Sequence, residues 1–131
     1  YNIKTLEDEY YKINNNIAII GRKDIYYGRK ELEDLINEDI NNIYTILLDH
    51  QPKDYKKSNL LGIDLILSGH THAGQIFPGG LLIDIFKTSE MSYGYKRVGN
   101  LNAIVSSGIS GWRVPLRTEE HSEYVIINVK K

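Results

Sequence analysis

Residues 64–75 constrain the fold more than any other part of the chain. They read Asp-Leu-Ile-Leu-Ser-Gly-His-Thr-His-Ala-Gly-Gln, so a short apolar run leads through a glycine to two histidines. A run of this kind is typical of a parallel strand that is covered on both faces of its sheet. Gly69 permits a sharp turn or a close approach to a ligand directly after the strand. The segment therefore predicts a strand that delivers His70 and His72 to the edge of a sheet.

A second apolar run, residues 43–48, ends at the sequence Asp-His-Gln-Pro, whose histidine is His50. The twelve residues 51–62 are just long enough for a right-handed crossover between two parallel strands. Residues 55–61 predict a short helix in this connection, which Gly62 ends. Because open α/β sheets bind ligands at the carboxyl ends of their strands, we expect His50 to converge there with the two later histidines.

The chemistry of three converging imidazoles is that of a metal site. Neutral imidazole is a ligand for manganese, iron and zinc. If the segment is extended, the rings of His70 and His72 leave one face about 6.6 Å apart along the chain. That spacing suits ligands of two ions roughly 3.5–4 Å apart, and it also allows both rings to bind one ion. The fourth histidine, His121, lies among glutamates and is predicted to be at the surface.

The remaining pattern is a mixture of hairpins and one helix. Two pairs of strand-like segments flank turn residues and predict β-hairpins: residues 10–13 with 17–21, and residues 94–98 with 101–105. Residues 29–37 predict an amphipathic helix, because their leucines and isoleucine recur at helical spacing.

Three later segments carry weaker signals. The apolar residues 81–86 are expected to be packed, and residues 124–129 predict a closing strand. Between them, residues 106–116 are rich in glycine and serine and predict a loop at the rim of a site. There Arg113 or Arg117 would meet a phosphate as a bidentate fork, or both would be ordinary surface arginines.

Composition excludes several classes of protein. The chain has 131 residues, one domain's worth, with 41% apolar and 25% charged residues, values typical of globular domains. A net charge of −1 gives no field that would attract nucleic acid. The absence of cysteine excludes disulfides and thiolate metal sites. No apolar run approaches a membrane span of about 20 residues. Because the chain starts at Tyr1 rather than Met, we expect it to be part of a longer protein.

Residues 47–52 and 64–75 resemble the last two motifs of the calcineurin-like metallophosphoesterases. The Gly-His-x-His core with its Gly-Gln tail is similar to a bacterial branch that often carries an amino-terminal membrane anchor, although Ala73 replaces a common glycine. The family's earlier motifs, Asp-x-His, Gly-Asp and Gly-Asn-His, do not occur in this sequence. The resemblance implies an α/β fold with an α+β tendency. Residues 1–131 would then form the carboxyl-terminal half of a metallophosphatase-type two-sheet sandwich flanked by helices.

The resemblance also implies an activity: hydrolysis of phosphate mono- or diesters at two divalent ions, which would be manganese, iron or zinc. His50 and His70 would bind one ion and His72 the other. The bridging aspartate and the acid histidine belong to the missing motifs, so no catalytic residue is identified here and the chain alone is expected to be inactive. Its expected partners are the phosphate ester, the amino-terminal half of the domain and a second copy of itself, but no nucleic acid. The compartment would be the bacterial cytoplasm or a membrane reached through another segment.

Two other functions fit the same residues. One is a mononuclear zinc hydrolase, in which three histidines and a water complete a common catalytic coordination. The other is a β-rich binding module without enzymatic activity, whose histidines are incidental. Metal content distinguishes the three hypotheses, because they require two ions, one ion and none.

Overall fold

A single six-stranded sheet organises the computed structural model, which describes residues 3–36 and 40–130. The strand order is β1-β2-β3-β4-β6-β5. The strands are β1 (Glu9–Asn14), β2 (Ile17–Gly21), β3 (Tyr44–Leu48), β4 (Leu65–Ser68), β5 (Gly94–Val98) and β6 (Leu101–Val105). The four inner strands are parallel, and β1 and β5 pair antiparallel at the two edges. This mixed sheet with few helices confirms the predicted α/β class.

The predicted crossover between β3 and β4 is confirmed. It contains α1 (Tyr55–Leu60), and Gly62 follows with the left-handed φ of +81° that favours glycine at a helix end. The second helix, α2 (Gly79–Phe86), follows β4, and the two predicted hairpins are present as β1–β2 and β5–β6. Three single 3₁₀ turns complete the elements: Ile25–Tyr27, Glu33–Leu35 and His72–Gly74. Neither α1 nor α2, the α-helices of the described residues, is long enough to cross a bilayer.

One face of the sheet carries the core. Registered residues of the parallel strands, such as Ile20, Leu47 and Ile66, are fully buried on this face. The connections cover it with further buried side chains: Leu32, Leu35, Ile40, Tyr55 and Ile63. At about 1.5–3 kcal/mol for each large apolar side chain removed from water, this cluster is the main source of stability in the described residues.

The opposite face of the sheet is apolar but uncovered. We call it the open face and define it by seven registered side chains of the six strands: Tyr11, Ile19, Ile46, Leu48, Leu67, Ile104 and Tyr95. Leu48 is 40% exposed and Tyr95 is 62% exposed, and the isoleucines are half-buried. An apolar run such as residues 43–48 is typical of a strand covered on both faces, and the described residues cover only one face of β3.

The predicted helix over residues 29–37 is wrong for residues 29–36. Asn37 lies outside the described residues. Only Glu33–Leu35 form a single 3₁₀ turn there. Leu32 and Leu35 are buried in the core as predicted. The chain before them is instead drawn toward the end of β3, where Arg29 contacts a buried carboxylate.

The expectations for two later segments differ from the structure as well. Residues 81–86 form most of α2 but are not packed, because Leu81 is 54% and Phe86 is 70% exposed. The predicted closing strand at residues 124–129 is not a strand, and Ile126 is 74% exposed. No described strand pairs with this segment, and an apolar run without a partner strand does not form a ladder.

Ion pairs fix the chain at the carboxyl end of β3. The Asp49 side chain is 0% exposed, and its oxygens accept hydrogen bonds from Arg22 at 3.0 Å and from Arg29 at 3.0 and 3.1 Å. A second carboxylate, Asp54, accepts from Arg22 at 2.9 Å. Burial raises the pKa of the Asp49 carboxyl, and the guanidinium groups of Arg29 and Arg22 oppose that shift. The pairs tie the segment after β2 to the edge where β3 ends.

We expect Asp49→Asn to lower the free energy of unfolding by about 3 kcal/mol, because it leaves two buried guanidinium groups with one carboxylate fewer. Urea unfolding followed by circular dichroism measures the loss. Glu31→Gln serves as the control, since the exposed Glu31 is only one of two carboxylate partners of Lys57 and its loss should cause no measurable change. Equal stability of the Asp49 variant and the wild type would contradict the structural role of these pairs.

We also expect the isolated chain to self-associate through the open face. A few hundred Å² of apolar surface, at about 25 cal/mol per Å², is worth several kcal/mol and favours association. Leu48→Glu places a charge in this face and should shift the chain toward monomer in sedimentation velocity at micromolar concentration. Leu60→Glu on the solvent side of α1, where Leu60 is 85% exposed, should leave association unchanged. A wild-type monomer that binds no hydrophobic dye would contradict this expectation.

Candidate functional site

The structure brings His50 and His70 together at the carboxyl edge of the parallel strands, as the topology predicts. His50 follows the end of β3 by two residues, and His70 follows the end of β4 by two. Nδ1 of His70 lies 3.1 Å from Nε2 of His50, and the rings meet edge to face with centroids 4.9 Å apart. Burial and the neighbouring His50 lower the pKa of His70. Because of this contact, Nδ1 of His70 and Nε2 of His50 face the same small volume.

The backbone of the histidine segment is not extended. His70, His72, Ala73 and Gln75 all have positive φ, at 68°, 51°, 52° and 49°. Left-handed conformations cost a non-glycine residue roughly 1–2 kcal/mol, so this segment is strained. Tight turns hold it, with the N–H of Gln75 donating to the carbonyl of His72 at 3.0 Å. The spacing expected for an extended His-x-His does not apply here.

Gly74 shows why the segment needs a glycine at that position. It has a φ of +84°, and an added Cβ would lie within 2.0 Å of the backbone nitrogen of Gly80. Any other residue would push the start of α2 away from the histidine segment. The glycine thus allows the close approach of these two elements.

His72 lies in the wall of the same cavity as the other two histidines. The cavity has a volume of about 730 Å³, and its lining includes His50, His70, His72, Asp24, Gln51 and Trp112. Nδ1 of His72 is buried and has no hydrogen-bond partner among the described residues. An orphaned buried nitrogen is costly unless a ligand or ion meets it, so this atom is consistent with a ligand role.

Asp24 is a cavity residue that the sequence did not indicate. Its carboxylate accepts hydrogen bonds from the N–H of Tyr26 at 3.0 Å and from Nε2 of Gln51 at 2.6 Å. The N–H of Tyr26 is the largest of the causes that lower the pKa of Asp24, and Gln51 and the two nearby histidines add to the effect. The missed signal is the parallel pairing of β2 with β3, which places the end of β2 at the histidine edge.

The two arginines that were candidates for contacting a phosphate, Arg113 and Arg117, have different environments. The guanidinium of Arg113 lies 4.7 Å from the ring centroid of Trp112, and Arg113 is exposed. Arg117 instead donates to the carbonyls of Ser107 at 2.9 Å and Ser110 at 2.5 Å. Arg117 therefore holds the loop, and of the two only Arg113 is an exposed cation beside the cavity wall.

The pair of imidazoles fits a metal ion. Imidazole–metal bonds of about 2.0–2.1 Å place two nitrogens on one ion about 3.0–3.4 Å apart, close to the 3.1 Å between His50 and His70. Within the described residues, no three side chains of His, Cys, Asp or Glu are grouped closely enough to hold an ion. The nitrogens of His50 and His70 thus fit two coordination positions of one ion, and His72 lies in the same cavity without joining that group.

Comparison with known proteins identifies the family. A metallophosphoesterase of Helicobacter pylori strain J99 is 45% identical over 86 residues, which are 65% of this chain and 23% of that protein. A metallophosphoesterase of Aquifex aeolicus is 35% identical over 137 aligned positions, covering 97% of this chain and 51% of that protein. A transmembrane protein with a metallophosphoesterase domain from Danio rerio is 38% identical over 89 residues, 66% of this chain and 20% of that protein.

These matches lie mostly in the carboxyl-terminal part of the relatives. The chain spans about a quarter of the length of the Helicobacter relative and about half of the Aquifex relative. No family model matches the chain, and no solved structure matches it. The relatives named here all carry the name metallophosphoesterase, and the match to the Aquifex protein covers 97% of this chain. This chain belongs to the metallophosphoesterase family.

Proposed function

We propose that this chain forms the carboxyl-terminal part of a catalytic domain that hydrolyses phosphate mono- or diesters with two divalent metal ions. The 3.1 Å contact between His50 and His70 carries the proposal, because two imidazole nitrogens converge beside a cavity large enough for a small ester. Membership of the metallophosphoesterase family supports the same reaction class. In this proposal residues 1–131 supply histidine ligands, and the remaining ligands come from an upstream half of the domain.

Each histidine has a separate task. His50 and His70 would hold one ion through Nε2 and Nδ1, the atoms that face each other. His72 would hold the other through a ring nitrogen at the cavity wall. Two such ions would polarise the phosphoryl oxygens and lower the pKa of a bound water.

The chain also orients these ligands. The ion pairs of Asp49 fix the residue before His50, which limits the movement of that imidazole. The left-handed backbone at His70 and His72 fixes the positions from which these two side chains leave the chain. Asp24 places a carboxylate on the cavity wall. The N–H of Tyr26 lowers the pKa of this carboxyl most, and the nearby His50 and His70 lower it further. Its negative charge would favour cations at this edge.

The membrane relationship is a further part of the proposal. The Danio rerio relative is named as a transmembrane protein. We propose that the complete protein acts in the bacterial cytoplasm or at a membrane that it reaches through a segment outside this chain. Its substrate would be a phosphate ester in either case.

Removing the His70 imidazole tests the ligand assignment. In the complete protein, His70→Asn should lower bound metal and phosphoesterase turnover by about 100-fold or more, because even indirect partners of metal ligands contribute 10–100-fold. Asparagine tolerates the left-handed backbone of this position, so the variant should fold. Metal analysis after gel filtration and turnover of an aryl phosphodiester are the measurements.

His121→Asn is the matched control. Its side chain is exposed and lies outside the cavity lining, so metal content and turnover should remain at the wild-type level. If His70→Asn retained wild-type metal and turnover, the assignment of His70 as a ligand would be wrong.

The isolated 131-residue chain should show negligible phosphodiesterase activity, because the motifs that supply the bridging aspartate and acid histidine are absent from its sequence. Turnover of an aryl phosphodiester with added manganese measures this. Robust turnover that a chelator abolishes would contradict the expectation and show that fewer residues suffice. A matched assay of the complete protein provides the positive control.

Metal content separates this proposal from the two alternatives. Two ions in each complete protein support the two-metal centre. One tightly held ion in this chain would favour a mononuclear zinc hydrolase, and no bound ion in either protein would favour a binding module.

A further inference from the structure

The side chain of Gln75 links the histidine segment to a distant loop. We call residues 111–118 the rim loop. Gln75 is buried, with 6% of its surface exposed, and the two N–H groups of its amide face the carbonyls of Trp112, Val114 and Leu116, each 3.0 Å from Nε2. Three carbonyls that converge on one amide are held against their mutual repulsion by that donor.

The other polar atoms of Gln75 strengthen this link. Its Oε1 accepts the N–H of Trp112, and its backbone carbonyl accepts the N–H of Thr118 at 2.9 Å. A Cβ added at Gly111 would lie 3.4 Å from Nε2 of Gln75, so the amide also packs closely against the start of the loop. One side chain therefore sets the path of the rim loop from one end to the other.

The rim loop presents an aromatic surface to the cavity. Trp112 lines the cavity with the three histidines, yet 61% of its surface is exposed. Arg113 has a positive φ of 59°, and its guanidinium lies over one face of the Trp112 ring, 4.7 Å from the ring centroid. Strain of this kind persists only where surrounding contacts impose it, and the hydrogen bonds of Gln75 to both neighbours of Arg113 supply them.

We propose that Gln75 is a positioning residue that holds Trp112 as an aromatic wall of the cavity, and that the site takes phosphate esters carrying a planar aromatic group. The inference rests on the proposed function for its phosphate-binding end. The phosphoryl group would lie at the histidines, and the aromatic substituent would stack on the face of the indole opposite the guanidinium of Arg113. Stacking on an aromatic side chain favours a planar ring over an alkyl group and does not require a particular ring identity.

Two phosphonates test this inference without turnover, since neither contains a cleavable ester. The dissociation constants of phenylphosphonate and methylphosphonate are measured by calorimetry on the manganese-loaded complete protein. We expect phenylphosphonate to bind about tenfold more tightly. Trp112→Ala should remove this preference and leave methylphosphonate affinity unchanged, whereas Trp112→Phe should retain most of it. Tyr124→Ala is the control, because Tyr124 is an aromatic residue that is 80% exposed, lies outside the cavity lining and is not part of the open face.

Gln75→Ala tests the positioning role. It should reduce the preference to near unity with little change in methylphosphonate affinity, and Gln75→Glu should do the same because a carboxylate cannot donate to the three carbonyls. In the isolated chain Trp112 is the single tryptophan, so acrylamide quenching of its fluorescence reports the loop directly. Quenching should increase in Gln75→Ala and remain unchanged in Tyr124→Ala.

The outcomes distinguish this inference from the proposed function. Equal affinity for the two phosphonates in the wild type, with binding that is lost in His70→Asn, would overturn the aromatic wall and retain the phosphoesterase site. A preference that survives Trp112→Ala or Gln75→Ala would overturn the role of that residue. If neither phosphonate binds the manganese-loaded protein, the proposed function fails and this inference fails with it.

Discussion

The buried ion pairs of Asp49 are the constraint on which the site depends. Asp49 is the last residue before His50, and its two arginine partners lie in the connection that follows β2. The same contacts therefore fix the end of β3 and the segment that carries Asp24. A charged cluster of this kind contributes little net stability compared with apolar packing, but any arrangement that separates the partners leaves a buried charge unpaired and is strongly disfavoured. Here that arrangement brings a carboxylate and two imidazoles to one cavity.

The histidine segment is organised by a different kind of constraint. Its left-handed residues make His70 and His72 leave the chain in directions that a regular strand would not allow. Gly74 permits the close approach of α2, and Gln75 carries the fixed geometry onward to the rim loop. Gly74 and Gln75 thus have structural roles, which differ from the role of the histidines as candidate metal ligands. Ligand placement and cavity shape depend on neighbouring residues of one short segment.

The sequence correctly predicted those parts of the fold and site that depend on local patterns of residues. The apolar run at residues 43–48, the following proline and Gly62 were sufficient for the β3–α1–β4 crossover, and topology then placed His50 near His70. Patterns could not show the contacts between distant segments. Arg29 forms an ion pair with Asp49, twenty residues later in the sequence, in place of the helix predicted to begin at Arg29. Asp24 was missed because the parallel pairing of β2 with β3 leaves no local sequence signal. The apolar residues 124–129 lack a neighbouring strand, which no pattern within them could reveal.

The charges on the two outermost strands limit how copies of this chain can assemble. β1 carries Glu9 and Lys12, and β5 carries Lys96 and Arg97. Charged side chains on an edge strand discourage another strand from extending the sheet. Contact through the open face buries that face on both copies at once, and an isologous contact of this type closes after two subunits. Such an arrangement favours a finite pair over a fibre, even though the apolar surface is large.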